Sequence, residues 1–596
     1  MANIIESGRE DLNRYLNAMQ LSLDFNLPFF TQAIEYYALW RGKKPLCLDQ
    51  TFSKIMLNIA HSMVQDRIPK QTANMFASDD FITLEAEKPE LELTRSGPEA
   101  WLRNMFKNPA KLNIISEIIP TLQSANIMGN GYRMPCVRHT PEGKRFITVR
   151  DIDYFQILLM PDGGLINPID RYSEEAMSSF FHVDWMRRKQ IEAMAKYDGF
   201  NADEAKKLFE NVPDVNSTLD SKYRDIYSVI GGVVYGTKTD WRQRMVDVDG
   251  KDGRYRVVSW FGRDFWWIVA QDNFIIYKGK NPMGNGLLPL VNYQITPDLK
   301  NSHGIGAIEM TIDLVYAILT NFGFRMDYLL QLMNPTKYIR QDILSSKPKS
   351  EFLNRPGAIH GFPREIQDIN RAFHVDRMPE ISQQTFLEED RMQRFLQNVS
   401  GFPDVSKGMV GPGEKGGATG IVTAIRQAGA RVDAESLMLE SSGVEQEGRL
   451  LLALAKDNVT EDEMVRDNNS ANGFGWTVVD ADSLTDQYIV HCKGTRFLSQ
   501  KDETFKKLLA LYPMWSQNPD VDQHELNMEI ADAGDVSHRE RIFKKPQQQS
   551  MNPAMGGGEA GGMASGQSLE NRNRSVANRN TVSPNTGNTI PAGVAM

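Results

Sequence analysis

The chain has 596 residues, room for roughly three or four domain-sized units, and its 41% hydrophobic and 24% charged residues are an ordinary globular balance. The formal net charge of −9 argues against a tight sequence-reading DNA binder, because each phosphate contact needs a Lys or Arg, but not against a channel through which DNA slides. The three cysteines, Cys47, Cys136 and Cys492, are too scattered for a disulfide framework or a zinc site and read as thiols of a reducing compartment.

Met1-Ala2-Asn3-Ile4-Ile5-Glu6 carries charge where a secretory leader needs an apolar core. The most apolar stretch, 307–333, is interrupted by Glu309, Asp313, Arg325 and Asp327, too many charges for a lipid-facing span. The expectation is a soluble, non-secreted protein without membrane insertion.

Residues 8–40 read as a helical segment broken at Pro28, before Phe29 and Phe30. Phe52, Ile55, Met56, Ile59, Ala60, Met63 and Val64 repeat at helical spacing and predict a helix over 51–66 that Pro69 stops. Phe81-Ile82-Thr83-Leu84 reads as a strand. Asn108-Pro109 reads as a helix start, with the helix disturbed at Pro120 and ended near Gly129. Strand-like segments follow at 131–139, 146–152 and 155–160. The charge-rich stretch 171–212 reads as helical. From 225 to 295 the pattern is β, with runs Arg254–Phe261, Asp264–Ala270, Phe274–Tyr277 and Leu288–Ile295 separated by turn residues.

Beyond His303-Gly304-Ile305-Gly306, the residues Ile308, Ile312, Val315, Leu319, Phe322, Met326, Leu329 and Met333 alternate spacings of four and three. That 3.5-residue repeat is the seam of a helix packed lengthwise on other helices. Asn334-Pro335 ends it. Turn signals fill 336–378, and Pro379 opens a second helix over 380–399 that carries Glu388, Glu389 and Asp390. Residues 400–420 form a loop with seven glycines, and a third long helix covers 421–457. Aromatic and β-branched runs return in 460–498, then helices at 501–512 and 520–543. From Pro546 to Met596 the chain has no aromatic residue and reads as disordered.

No chemical motif stands out. The nine histidines form no metal-binding pair, and there is no nucleophile elbow. Gly411-Pro412-Gly413-Glu414-Lys415-Gly416 fits G-x-G-x-x-G, but coil rather than a strand precedes it, and Gly416-Gly417 stand where a Walker loop needs Ser or Thr. The loop reads instead as a mobile contact element between two long helices. The acidic trio reads as a solvated helix face. No cofactor is expected.

The order of parts from 303 onward resembles the portal proteins of tailed bacteriophages, especially the short-tailed type. The resemblance implies an α+β portal architecture: an N-terminal helical segment (1–50), a β-rich wing (51–302), a first stem helix (303–333), a clip (334–378) and a second stem helix (379–399). A tunnel loop (400–420), a wing helix with a return β segment (421–500) and crown helices (501–545) follow, then the tail (546–596). It also implies a non-enzymatic ring, usually of twelve copies, at one capsid vertex of the virion, assembled in the host cytoplasm. Double-stranded DNA passes through without sequence recognition. The implied partners are the packaging ATPase (terminase), the major capsid protein, the scaffolding protein and tail adaptors. Lys407 and Lys415 would touch phosphates. Gly401, Gly411, Gly413, Gly416, Gly417 and Gly420 would serve as loop hinges, the 308–333 seam as stem packing, and Glu388, Glu389 and Asp390 as an acidic channel face. Two alternatives stay open: another head–tail connector or virion structural protein, and an unrecognised cytoplasmic enzyme.

Overall fold

A computed structural model describes residues 2–139, 145–210, 254–335, 337–339, 373–375, 382–401, 430–466, 476–515 and 523–533, except 46–47, 49–50, 52, 54, 78–80, 93, 169 and 171–172. It also describes the single positions 229, 368 and 379. The chain mixes helix and sheet, and every ladder between named strands is antiparallel.

Two helices run through prolines that were expected to break them. α1 (Ala2–Trp40) is continuous across Pro28, and α2 (Ile59–Met75) begins later than the sequence pattern suggested and continues past Pro69. In α1 the buried residues Tyr15, Met19 and Leu23 lie before the proline, and Phe30 and Ala33 after it. Packing on both sides of Pro28 outweighs the lost hydrogen bond and the steric cost, about 3 kcal/mol in a helix interior.

β1 (Ile82–Ala86) is followed by α3 (Ser96–Lys107), and Asn108 closes that helix instead of opening the next. Its backbone N–H donates to the Asn104 carbonyl, and its side-chain Oδ1 accepts from the Ala110 N–H in a local turn. Pro120 lies in the first turn of α4 (Ile119–Met128), where proline costs little, so it starts a helix rather than disturbing one. Gly129 ends α4 at φ +90, and a Cβ there would lie 1.9 Å from the Gly304 carbonyl oxygen. Only glycine fits both the dihedral and the contact.

Three strands form one sheet in the order β3–β2–β9: β2 (Asn130–His139), β3 (Arg145–Ile152) and, far along the chain, β9 (Val291–Gln294). A five-stranded sheet runs in sequence order through β4 (Ile157–Leu159), β5 (Ser179–Arg187), β6 (Arg254–Gly262), β7 (Phe265–Ala270) and β8 (Phe274–Lys280). β5 falls inside the stretch expected to be helical. Ser179 to Val183 are all buried, so the strand lacks the polar alternation that marks a half-exposed one. Phe180 stacks on Phe261 and Phe181 on Trp260 across β5 and β6. α1 covers one side of this sheet, with Tyr15 edge-on to Phe181 and Trp260. α5 (Ala202–Glu210) packs Ala205 and Leu208 with Val257, Ile268 and Ile276 in a separate cluster.

His303 ties α1 to the segment leading into the next helix. Its Nε2 is 2.8 Å from Asn26 Oδ1, its Nδ1 is 3.2 Å from the Tyr154 hydroxyl, and its ring stacks on Phe29 at 4.2 Å. Burial pushes its pKa down to about 3. There follow α6 (Ile312–Met333), the short strands β10 (Lys337–Ile339) and β11 (Phe373–Val375), and α7 (Gln383–Ser400). Next comes a long helix, α8, spanning 430–458 with a π-helical turn at Glu440–Val444. β12 (Glu463–Arg466) pairs with β13 (Trp476–Val479), β14 (Tyr488–Cys492) returns to pair with β1, and α9 (Gly494–Trp515) follows. α10 (Gln523–Ala533) belongs to a second unit that begins at Asn518.

Candidate functional site

The 3.5-residue apolar repeat becomes α6, although the helix proper starts at Ile312 after a 3₁₀ turn at Glu309–Thr311. α7 runs back antiparallel to it. The far ends continue into an antiparallel ladder, Lys337 opposite Val375 and Ile339 opposite Phe373. The result is a helical hairpin extended by a two-stranded ribbon. Of the segment expected as a clip, the described residues are mainly these two strands.

Burial divides the seam into two zones. Ile308, Val315 and Leu319 are buried in the main core together with Ile318. Ile312, Phe322, Met326 and Leu329 are half-buried, and Met333 is 79% exposed. Gly323 lets Thr51 approach α6, and the buried Asp327 accepts from the Ser53 N–H, so Thr51 and Ser53 brace the helix midway. Beyond that brace Leu330 and Leu332 are also exposed, as are Phe386 and Leu387 on α7.

One clamp holds the two helices together above the core. Arg325 donates to both Glu389 oxygens, and its guanidinium lies 5.3 Å from the Phe322 ring and 5.4 Å from the Phe386 ring. This changes the reading of the acidic trio. Glu389 turns toward α6 and is half-buried, Glu388 pairs with Arg391 at 2.9 Å, and Asp390 is exposed. Residues at successive helix positions point about 100° apart, so the three carboxylates do not share one face. Gly401 caps α7 at φ +74, its N–H donating to the Gln397 carbonyl. Lys407, Lys415, Gly411, Gly413, Gly416, Gly417 and Gly420 lie outside the described residues, as does the tail after 533.

No protein-family model matches the chain, and no curated protein matches it. The case for a function therefore rests on the residues themselves. Among the described residues no helix is long and apolar enough to cross a membrane, and no group of three or more His, Cys, Asp or Glu could hold a metal ion.

The foot of the hairpin is a buried polar junction, absent from the sequence reading. α2 presents Ala60, Val64, Arg67, Ile68 and Gln71 on its buried face. Arg67 Nη1 donates to Glu435 Oε1 on α8 at 2.8 Å, and Nη2 donates to the Ser400 carbonyl at the end of α7. Gln71 Nε2 reaches Glu435 Oε2 at 3.2 Å, while Gln71 Oε1 accepts from Asn126 of α4 at 2.9 Å. Arg431 of α8 donates to the carbonyls of Asn398 (3.2 Å) and Val399 (2.7 Å). Burial raises the Glu435 pKa, and the facing Arg67 pulls it back.

Two more buried carboxylates fix α8. Glu440 accepts from the Thr495 N–H and hydroxyl at 2.7 Å each, at the start of α9. Glu447 accepts from the Tyr293 hydroxyl at 2.7 Å and lies 3.0 Å from Arg133 Nε. The π turn places Gly443 against the Tyr293 ring, where a Cβ would sit 2.1 Å from ring carbons. The sequence signal for this junction was a charged or amide residue at a helix's apolar spacing. The partners of Arg67 lie 333 and 368 residues away and could not be read from spacing.

Proposed function

We propose that this chain is the subunit of a tailed-bacteriophage portal, a closed ring at one capsid vertex through which double-stranded DNA is packaged, retained and ejected. The carrying observation is the hairpin's two-zone burial. Its base is packed into the core and clamped by Arg325–Glu389, while Leu330, Leu332, Met333, Phe386 and Leu387 remain uncovered on its outer part. Large apolar side chains gathered on one element need a partner surface. A head-to-tail contact between neighbouring copies, closing into a ring, gives each copy that surface.

The layout supports the same reading. A helix, a ribbon, a second helix and a buried junction leading into a third long helix correspond in order to the stem, clip, stem and wing helix of the resembled family. The acidic balance suits a conduit, since a wall of negative sign repels phosphates and lets a duplex slide. On this reading Lys407 and Lys415 contact phosphates without reading sequence. The partners are the packaging ATPase, the capsid and scaffolding proteins, and tail adaptors.

Negative-stain electron microscopy with mass measurement tests the proposal. Rings with a central hole and a mass near twelve times 67.5 kDa are expected. A stable monomer or dimer at every protein and salt concentration overturns it.

A further inference from the structure

The last three carbonyls of α7 point out of the helix end and have no intrahelical N–H to receive, as at any helix C-terminus. Here guanidinium groups from outside the helix take all three. Arg431 serves Asn398 and Val399, and Arg67 serves Ser400. The second arm of Arg67 holds Glu435, one helical turn past Arg431. Cations at a helix C-terminus also meet the negative end of its dipole. We propose that Arg67 is a positioning residue: through one rigid fork it fixes the end of α7 and the start of α8 to α2 and to each other, so that the two helices move as one body.

Only arginine has the geometry for this. Its planar head presents donors in two directions at once, whereas a lysine is a point charge that can favour one partner. The Arg67 side of the site is enclosed, with Arg67 and Gln71 at 0% exposure, Ser400 at 4% and Glu435 at 6%, whereas Arg431, Asn398 and Val399 are exposed. Water therefore cannot substitute for a missing donor without opening the core. The chain that joins α7 to α8, residues 402–429, thus leaves from and returns to a base whose two ends cannot shift independently. This deepens the portal reading and rests on it only for its consequence: in a portal, the loop facing the DNA would act from an anchored base, and force on it would pass into α2 and α4 through Gln71 and Asn126.

A buried ion pair that merely fills space can be replaced by apolar side chains of similar volume with little loss of stability. Replacing a positioning pair in this way still removes the directional bonds that tie α7 and α8 to α2, so the loss shows in local exchange rather than in the melting temperature. The experiment compares the full-length wild type with Arg67→Lys and with the double variant Arg67→Met/Glu435→Met, by hydrogen–deuterium exchange and thermal melting. The expected result is exchange at least ten-fold faster in 397–401 and 432–437 for both variants, with strands β5 and β6 unchanged. The double variant should melt close to the wild type. Wild-type exchange in both segments of a stably folded double variant, or of Arg67→Lys should the double variant not fold, overturns the proposal. The mass of the wild-type sample reads the portal proposal separately, since absence of rings would refute that reading and leave the exchange result to decide the role of Arg67.

Discussion

Replacing Leu330 and Met333 together by lysine separates the stability of the single chain from that of the assembly. The two side chains are 53% and 79% exposed and three residues apart, neighbours on one face of α6. In an isolated chain, exposed positions of this kind tolerate substitution within about ±0.5 kcal/mol. In a ring the same positions would be enclosed by an adjacent copy. An unpaired ammonium in such a contact costs several kcal/mol, and each 1.4 kcal/mol is a factor of ten. Two per subunit would weaken every contact by roughly a thousand-fold or more, enough to abolish rings at micromolar concentration. Urea unfolding of dissociated chains would give the first number, and mass photometry across a concentration series the second. Gln331→Lys, on an exposed side of the same helix, is the control and should leave assembly intact. Wild-type rings in the double variant would refute the idea that this face is an interface. A loss of several kcal/mol in the single chain would show instead that the face is packed within the subunit.

At the other end of the seam, Leu319→Ala should lower single-chain stability by about 2–5 kcal/mol, because Leu319 is 1% exposed in the main core; an unchanged denaturation midpoint would contradict that placement. The buried imidazoles predict a pH dependence. Burial lowers His303 to about 3 and His182 to about 4, so the unfolded chain takes up protons first as pH falls. Their contribution is complete above about pH 6.5 and is lost below it at about 1.4 kcal/mol per pH unit for each residue. Urea midpoints at pH 7 and pH 5 should show a shallower slope in His303→Phe than in wild type, and equal slopes would remove His303 from the account. Deleting 403–417 should leave ring mass unchanged while particles fail to retain or package DNA, and loss of rings on deletion would show that this segment is needed for assembly.

The hairpin was legible because its signal is local. A 3.5-residue repeat over eight positions from Ile308 to Met333 has one structural meaning, and Pro379 set the return helix within a few residues. What the repeat could not tell was where the seam stops being buried. That is decided by Thr51 and Ser53, far away in the chain, which brace α6 near Gly323 and Asp327. Prolines misled for the opposite reason. Pro28 and Pro69 have local costs that sequence can see, while the packing of Tyr15, Leu23 and Phe30, or of Val64 and Gln71, is tertiary and larger. β5 escaped notice because a strand buried on both faces has no alternation. The junction at Arg67 was half visible, since its spacing from Ala60 and Val64 puts a charge on an apolar face. Its partner Glu435 is 368 positions away.

The same arginines bear on how an acidic protein could handle DNA. Arg67, Arg133, Arg256 and Arg325 are buried or half-buried, and each faces an acid: Glu435, Glu447, Asp272 and Glu389. These pairs cancel, so the formal charge of −9 is carried entirely by the remaining groups while four guanidiniums are kept away from phosphates. In a low-dielectric interior such pairs are held by geometry, and replacing them by apolar residues is often neutral in stability. Their value here lies in direction. Arg325 fixes α6 on α7, Arg67 fixes α7 on α8, and Arg133 fixes α8 on β2, a chain of oriented contacts from the hairpin into the sheet. On the portal proposal, a helical element whose foot is fixed by directional bonds and whose far end exposes apolar surface would transmit load between neighbouring copies. On the same proposal the net negative charge would leave little to hold a passing duplex in place.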